Sequence, residues 1–275
     1  MSLRFLYALL PLVALLATPA RAQIEMIFRL DYSEAIELEP VLATVTLINR
    51  GDQPKRASTD YRLSFDVKER NGIRIKTRNG QVALVPDELP PGGEVTFTNN
   101  LAYLYQIDQH GQYSIAARLT LPTRELVSER VFLDVLKGVE LVALETESPD
   151  GSARRYSLRQ VSRNRQSRLY FRVDDPSGSL CYGVYDLGRH LSFQPPSLRV
   201  DGQGLVHILH LTAPTLFLHS VFSPTGELVA QQTHSGDASS VRLAPDAESG
   251  FRVLGVGVSA PRDPFIDTLP GRKHL

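Results

Sequence analysis

The chain has 275 residues, with 30 Lys and Arg against 30 Asp and Glu, seven His, one Cys and no Trp. That balance argues against nucleic acid as a global partner, because neutralising a phosphate backbone takes a large basic excess. A lone cysteine excludes any internal disulfide framework.

The opening residues, MSLRFLYALLPLVALLATPARAQ, carry Arg4, an apolar run from Phe5 to Ala17, and Ala20-Arg21-Ala22 in the small-x-small arrangement that signal peptidase accepts. Residues 1–22 read as a secretory signal peptide cleaved before Gln23. The apolar run is too short to span a bilayer, which takes roughly 20 helical residues. Cleavage leaves 253 residues with 28 basic and 30 acidic side chains, room for about two domains. No N-x-S/T site is present and no cysteine follows the apolar run. An exported chain with neither disulfides nor sequons fits a bacterial envelope, periplasmic or secreted, with no transmembrane segment after cleavage.

From Ile24 to Leu136 apolar residues recur at spacing two in short runs bounded by turn residues, the strand pattern. In VLATVTLINRGD, Val41, Ala43, Val45 and Leu47 share one face. In YRLSFDVKERNG, Leu63, Phe65 and Val67 do the same. Asn71-Gly72 predicts a tight hairpin, with φ > 0 at both positions, into Ile73–Lys76. Pro90-Pro91-Gly92-Gly93 forces a loop before a strand at Val95–Thr98.

Asp108-Gln109-His110-Gly111-Gln112-Tyr113-Ser114-Ile115 resembles the tyrosine corner of immunoglobulin-like folds, in which a tyrosine hydroxyl bonds back to the preceding loop. Tyr113 takes that role, and Ile115 stands where antibody domains place their second cysteine. Residues 23–138 therefore resemble a bacterial extracytoplasmic immunoglobulin-like β-sandwich. The likeness implies adhesion, scaffolding or ligand presentation by analogy, and no catalytic residue.

Lys137-Gly138 reads as a hinge into a second all-β domain, residues 139–258. Ser148-Pro149-Asp150-Gly151 forms a turn, and strands follow at RLYFRV, LCYGVYDL, LVHILHL, LFLHSVF, ELVAQQT, VRL and FRVLGVGV. The fold class expected is all-β: an immunoglobulin-like sandwich followed by a second antiparallel sandwich or small barrel. The segment SLRVDGQGLVHILH with LFLHSVFSPTGELV has the look of a propeller blade, but about 120 residues cannot supply a set of blades. Residues 259–275, rich in proline and charge, read as a flexible tail.

HILHLTAPTLFLHS places His207, His210 and His219 around Ala213-Pro214. With those two residues as the turn, His210 and His219 become diagonal neighbours on one face and His207 lies on the other. Two imidazoles still lack the further ligands a zinc site needs, so no metal is assigned.

Between Gly151 and Val173 lie seven arginines and no acid. With Tyr156, Leu158, Leu169, Phe171 and Val173 facing inward, Arg163, Arg165 and Arg168 are candidate ligand-binding residues for an anionic glycan, lipid headgroup or protein partner, against the plainer reading of charges paired with acids elsewhere. Asp174–Ser179 is oxygen-rich but lacks the full calcium loop. Cys181, within a strand, reads as a small buried apolar group.

Motifs for a serine nucleophile elbow, zinc protease, phosphate loop or dinucleotide fold do not occur. The expectation is an exported, non-catalytic binding or scaffolding protein of the envelope, with no catalytic residue and no cofactor. The rival is a metal-assisted or carboxylate-based hydrolase centred on the second domain, with His210 and His219 as its ligands.

Overall fold

The computed structural model describes residues 24–257, apart from 58, 79–81, 148–150, 164 and 249. The signal peptide with its cleavage site, most of the Ser148–Gly151 turn and the tail lie outside the described residues. The fold is all-β: the described residues hold twenty strands and one helical turn, and no helix among them is long and apolar enough to cross a membrane.

The first half comprises β1 (Ile24–Leu30), β2 (Glu34–Ile36), β3 (Leu42–Asn49), β4 (Lys55–Arg56), β5 (Arg62–Glu69), β6 (Glu88–Leu89), β7 (Glu94–Asn100), α1 (Leu101–Leu104), β8 (Gly111–Thr120), β9 (Glu125–Val127) and β10 (Val131–Leu136). One sheet runs β1-β3-β7 and the other β2-β10-β8-β5, with β9 also on β8. Val41, Ala43, Val45 and Leu47 from the first meet Leu63, Phe65, Val67, Ile115 and Leu119 from the second, all nearly or fully buried. Alternation in β3 and β5 decides this, since a period of two puts every second side chain on the inner face.

The Asn71-Gly72 reversal departs from expectation in detail. Gly72 has φ +86 but Asn71 keeps a negative φ, because its side-chain oxygen accepts the Ile73 N–H at 2.9 Å. The Gly72 N–H bonds to Glu69 O at 2.9 Å, so the loop is a three-residue turn ending in a left-handed glycine. Tyr113 behaves as a corner tyrosine: its hydroxyl donates to Gln109 O at 2.7 Å.

The second half comprises β11 (Val139–Glu147), β12 (Ala153–Arg163), β13 (Gln166–Asp174), β14 (Cys181–Arg189), β15 (Ser197–Val200), β16 (Val206–Ala213), β17 (Leu216–Phe222), β18 (Leu228–Ser235), β19 (Arg242–Asp246) and β20 (Gly250–Leu254). Sheets β11-β12-β13-β14 and β15-β16-β17-β18 face each other. Tyr156, Leu158, Leu169, Phe171 and Val173 pack against Leu198, Val206, Ile208 and Phe222 between them. Phe171 is the centre: its ring lies 4.7 Å from Phe222, 5.9 Å from Tyr185 and 6.0 Å from Tyr156. Aromatic pairs of this kind contribute about 0.5–1.5 kcal/mol each beyond burial. The hairpin β19-β20 covers the far side of the second sheet, where Val241, Leu243 and Val253 meet Leu209, Leu211 and Phe217.

The halves meet through a small apolar cluster of Ile36, Leu38 and Leu136 with Val161, Tyr170 and Val184. Gly138, at φ +73, sits inside this junction; a Cβ there would lie 3.0 Å from Val161 Cγ2 and 3.3 Å from Ile36 Cδ1. The residue read as a hinge is thus pinned between both halves.

Candidate functional site

Three surfaces gather the side chains that carry chemistry. The first is the outer face of the second sheet. Pairing of β16 with β17 sets His207 opposite Val221, Leu209 opposite His219 and His210 opposite Leu218, with an irregularity between Leu211 and Ala213. The turn residues are Pro214 and Thr215, not Ala213 and Pro214, and Thr212 is bulged out of the ladder, its hydroxyl donating to Leu216 O at 3.2 Å. This offset corrects the expected pairing: because strand faces alternate every residue, His219 shares its face with His207, and His210 points the other way.

On that face a row forms. His207 Nε2 lies 3.1 Å from Asp201 Oδ2, and its Nδ1 lies 3.2 Å from His219 Nε2. The His219 ring is 6.1 Å from that of His234 on β18. Burial, then the neighbouring His207 and His234, pulls the His219 pKa down to about 4, and burial lowers that of His234. His234 Nε2 is buried without a hydrogen-bond partner.

His210 instead faces His190, with ring centroids 6.0 Å apart between the two sheets. Burial, then His190, pulls its pKa down to about 3. Among the described residues no three His, Cys, Asp or Glu side chains are arranged to hold a metal. Asp201, His190 and His234 were not singled out by sequence. The signal for His234 was its place on the next strand, and for Asp201 its place in the turn feeding β16.

The second surface is the outer face of β12 and β13, which carries the arginine run. Its inward residues are the five expected, so Arg155, Arg159, Arg163, Arg168 and Arg172 share the opposite face, and that face is covered. Arg155 pairs with Glu140 at 2.7 Å, Arg168 with Asp186 at 2.8 Å and Arg172 with Asp174 at 2.7 Å. Arg159 reaches Glu37 at 3.8 Å and Arg163 reaches Glu39 at 3.2 Å, both across the junction between halves. Arg163 also donates to Tyr170 Oη at 2.9 Å and stacks 4.2 Å above the Tyr32 ring. Burial opposes its charge, but Tyr170 and Glu39 outweigh that and hold its pKa above the usual value. Arg165 lies at the exposed hairpin tip with φ +60. Of the three candidate arginines, two are engaged inside the molecule and one faces solvent.

Asp174–Ser179 closes on itself. Asp175 accepts from the Ser177 and Ser179 hydroxyls and from the Leu180 N–H at 2.6 Å, bonds that pull its carboxyl down to about 2. Cys181 is half-buried beside the junction cluster, its thiol pushed up to about 12 by burial and then by Asp174.

The third surface is an open groove of about 640 Å³ along the outer edge of β5. Tyr61 and Leu63 form one wall, Val82, Ala83 and Val85 the other, with Leu104 and Tyr105 between. The second wall is an extended segment held by side chains instead of a ladder: Asn99 bonds both Leu84 N–H (2.6 Å) and Leu84 O (3.1 Å), and Tyr61 donates to Pro86 O at 2.6 Å. Val82 and Leu84 are 78% and 68% exposed. Further along β5, the Tyr105 hydroxyl takes up both Phe65 N–H and Phe65 O.

No family model matches the chain, and no curated protein matches it in sequence. Among solved structures it is similar to the sporulation control protein Spo0M of Bacillus subtilis, at 11% identity and TM-score 0.27 over 78% of this chain and 91% of that one. The periplasmic chaperone SfaE is similar at 10% identity and TM-score 0.24, over 74% and 96%. An uncharacterised Listeria monocytogenes protein, crystallised with glucose, magnesium and calcium, is similar at 10% identity and TM-score 0.25, over 78% of this chain and 20% of that one.

Proposed function

We propose that the chain is an exported, non-catalytic binding or scaffolding protein of a bacterial cell envelope, and that it holds a protein partner in the groove beside β5. The observation that carries this reading is the pairing, along one groove, of an outer strand edge with an apolar wall whose Val82 stands out into solvent. An extended segment of another protein suits such a seam, since its backbone meets the strand edge and its alternate side chains meet the wall. The groove volume falls in the range of established binding clefts. The first half is, in this reading, an immunoglobulin-like sandwich, supported by two facing sheets and by the Tyr113 to Gln109 bond. The leader-like first 22 residues support export.

A photo-crosslinking residue in place of Val82 tests the groove in the native envelope, with the same residue in place of exposed Val139 as control. Discrete adducts at position 82 that are missing at 139 are expected. Identical patterns at both positions, or none at 82, would remove the groove from the proposal.

A further inference from the structure

We propose that Asp201, His207, His219 and His234 form a proton-operated latch, which holds the β19-β20 hairpin on the second sheet when neutral and lets it go on acidification. The row lies on three adjacent strands and the turn before them, and the hairpin closes over its Asp201 end. The Phe251 ring lies tilted, 5.3 Å from the His207 ring, and Gly250, at φ +73, approaches Asp201 so closely that a Cβ there would lie 2.5 Å from Asp201 Cβ. The same hairpin covers Leu209, Leu211 and Phe217.

The neutral row is satisfied in one direction only. His219 Nε2–H donates to His207 Nδ1, and His207 Nε2–H donates to Asp201. A proton on His219 charges a largely buried ring that lies 5.4 Å from the His207 ring and 6.1 Å from the His234 ring, and burial and these neighbours oppose that charge. Protonated His234 finds no acceptor for its buried Nε2.

The other charged groups on the packed elements are Arg199 opposite His207 on β15, Arg242 and Asp246 on β19, Glu248 in the turn that follows, Arg252 on β20 and Asp237 before β19. On β18 the residue opposite His219 is Gln232. Imidazoles alone among these side-chain types ordinarily titrate between pH 5 and 8.

The hairpin is the element free to respond. It is a two-stranded sheet of its own, tied to β18 through the Gly236–Val256 bridge and the Gly257 N–H to Ser235 O bond. Two strands without a larger sheet are marginally stable alone. A base whose folded pKa is lowered keeps the closed form fully stable above its ordinary value of 6.5 and weakens it as pH falls through 6.5 toward 4. Release takes up at least two protons, so it is steep in pH.

Hydrogen exchange read by mass spectrometry on the full chain at pH 7.4 and 5.0, corrected for intrinsic rates, tests this. Protection of residues 242–254 should fall at least tenfold at pH 5.0 while residues 153–174 keep theirs. His219→Gln retains a donor for His207 without a titrating ring, and should hold the hairpin closed at pH 5.0. Unchanged protection of 242–254, equal loss in the variant, or simultaneous loss in 153–174, where protonation of His190 and His210 would act, each overturns the latch. If His219→Gln does not fold, an NMR titration of wild-type imidazoles decides. His219 must titrate together with hairpin opening, and titration near 6.5 with a closed hairpin overturns the proposal.

Discussion

Replacing Arg163 with Ala removes the cation from a pair that joins the two halves. The side chains of Arg163 and Glu39 are only 10% and 3% exposed, so the Glu39 carboxylate is left buried with its counter-charge gone. Breaking such a pair from one side costs about 3–5 kcal/mol, and loss of the Tyr32 stacking adds up to about 1 kcal/mol. For a chain of this size each kcal/mol lowers Tm by roughly 2–4 °C, so a fall of roughly 6–24 °C is expected. Removing both charges together, as Arg163→Leu with Glu39→Leu, should recover part of the loss, because apolar groups tolerate the site while the buried Ile36 N–H loses its Glu39 acceptor. Urea denaturation followed by circular dichroism of wild type, Arg163→Leu, Glu39→Leu and the double variant gives the four corners of the cycle. Salt should barely alter the result, since screening reaches buried pairs poorly. A single variant that loses less than about 1 kcal/mol, or a double variant that loses the sum of the singles, would refute the idea that this pair locks the seam.

Cys181 should resist alkylation in the folded protein. With its thiol near 12 against 9.0 when free, the thiolate fraction at pH 8 is about a thousandfold smaller in the fold, so iodoacetamide labelling should wait for denaturant; fast labelling of native protein would contradict the burial argument. Tyr113→Phe loses one buried bond and should cost about 1 kcal/mol, whereas Tyr105→Phe strands both Phe65 backbone groups and should cost more, up to about 3 kcal/mol. Equal losses in urea melts would mean that Tyr105 does not cap the β5 edge at Phe65.

Strand identity was legible because alternation is a local property: Val41 to Leu47 and Tyr156 to Val173 sort onto inner faces by parity alone. The Tyr113–Gln109 bond was legible for the same reason, since the two residues lie four apart. What could not be read was what covers an outer face. The arginine run looked solvent-facing, but Glu37 and Glu39, more than a hundred residues earlier, lie across from Arg159 and Arg163. Nor does the β5 groove have a sequence signature, because its walls are joined by Asn99 and Tyr61 side chains and not by a continuous motif.

The bulged Thr212 shows how little chain length separates two different chemistries. Were Thr212 taken into the ladder with Pro214 and Thr215 still forming the turn, β16 would slide past β17 by a single step and set His210 opposite His219, parting His207 from it. A bulge with no reactive group of its own therefore selects which reactive groups meet.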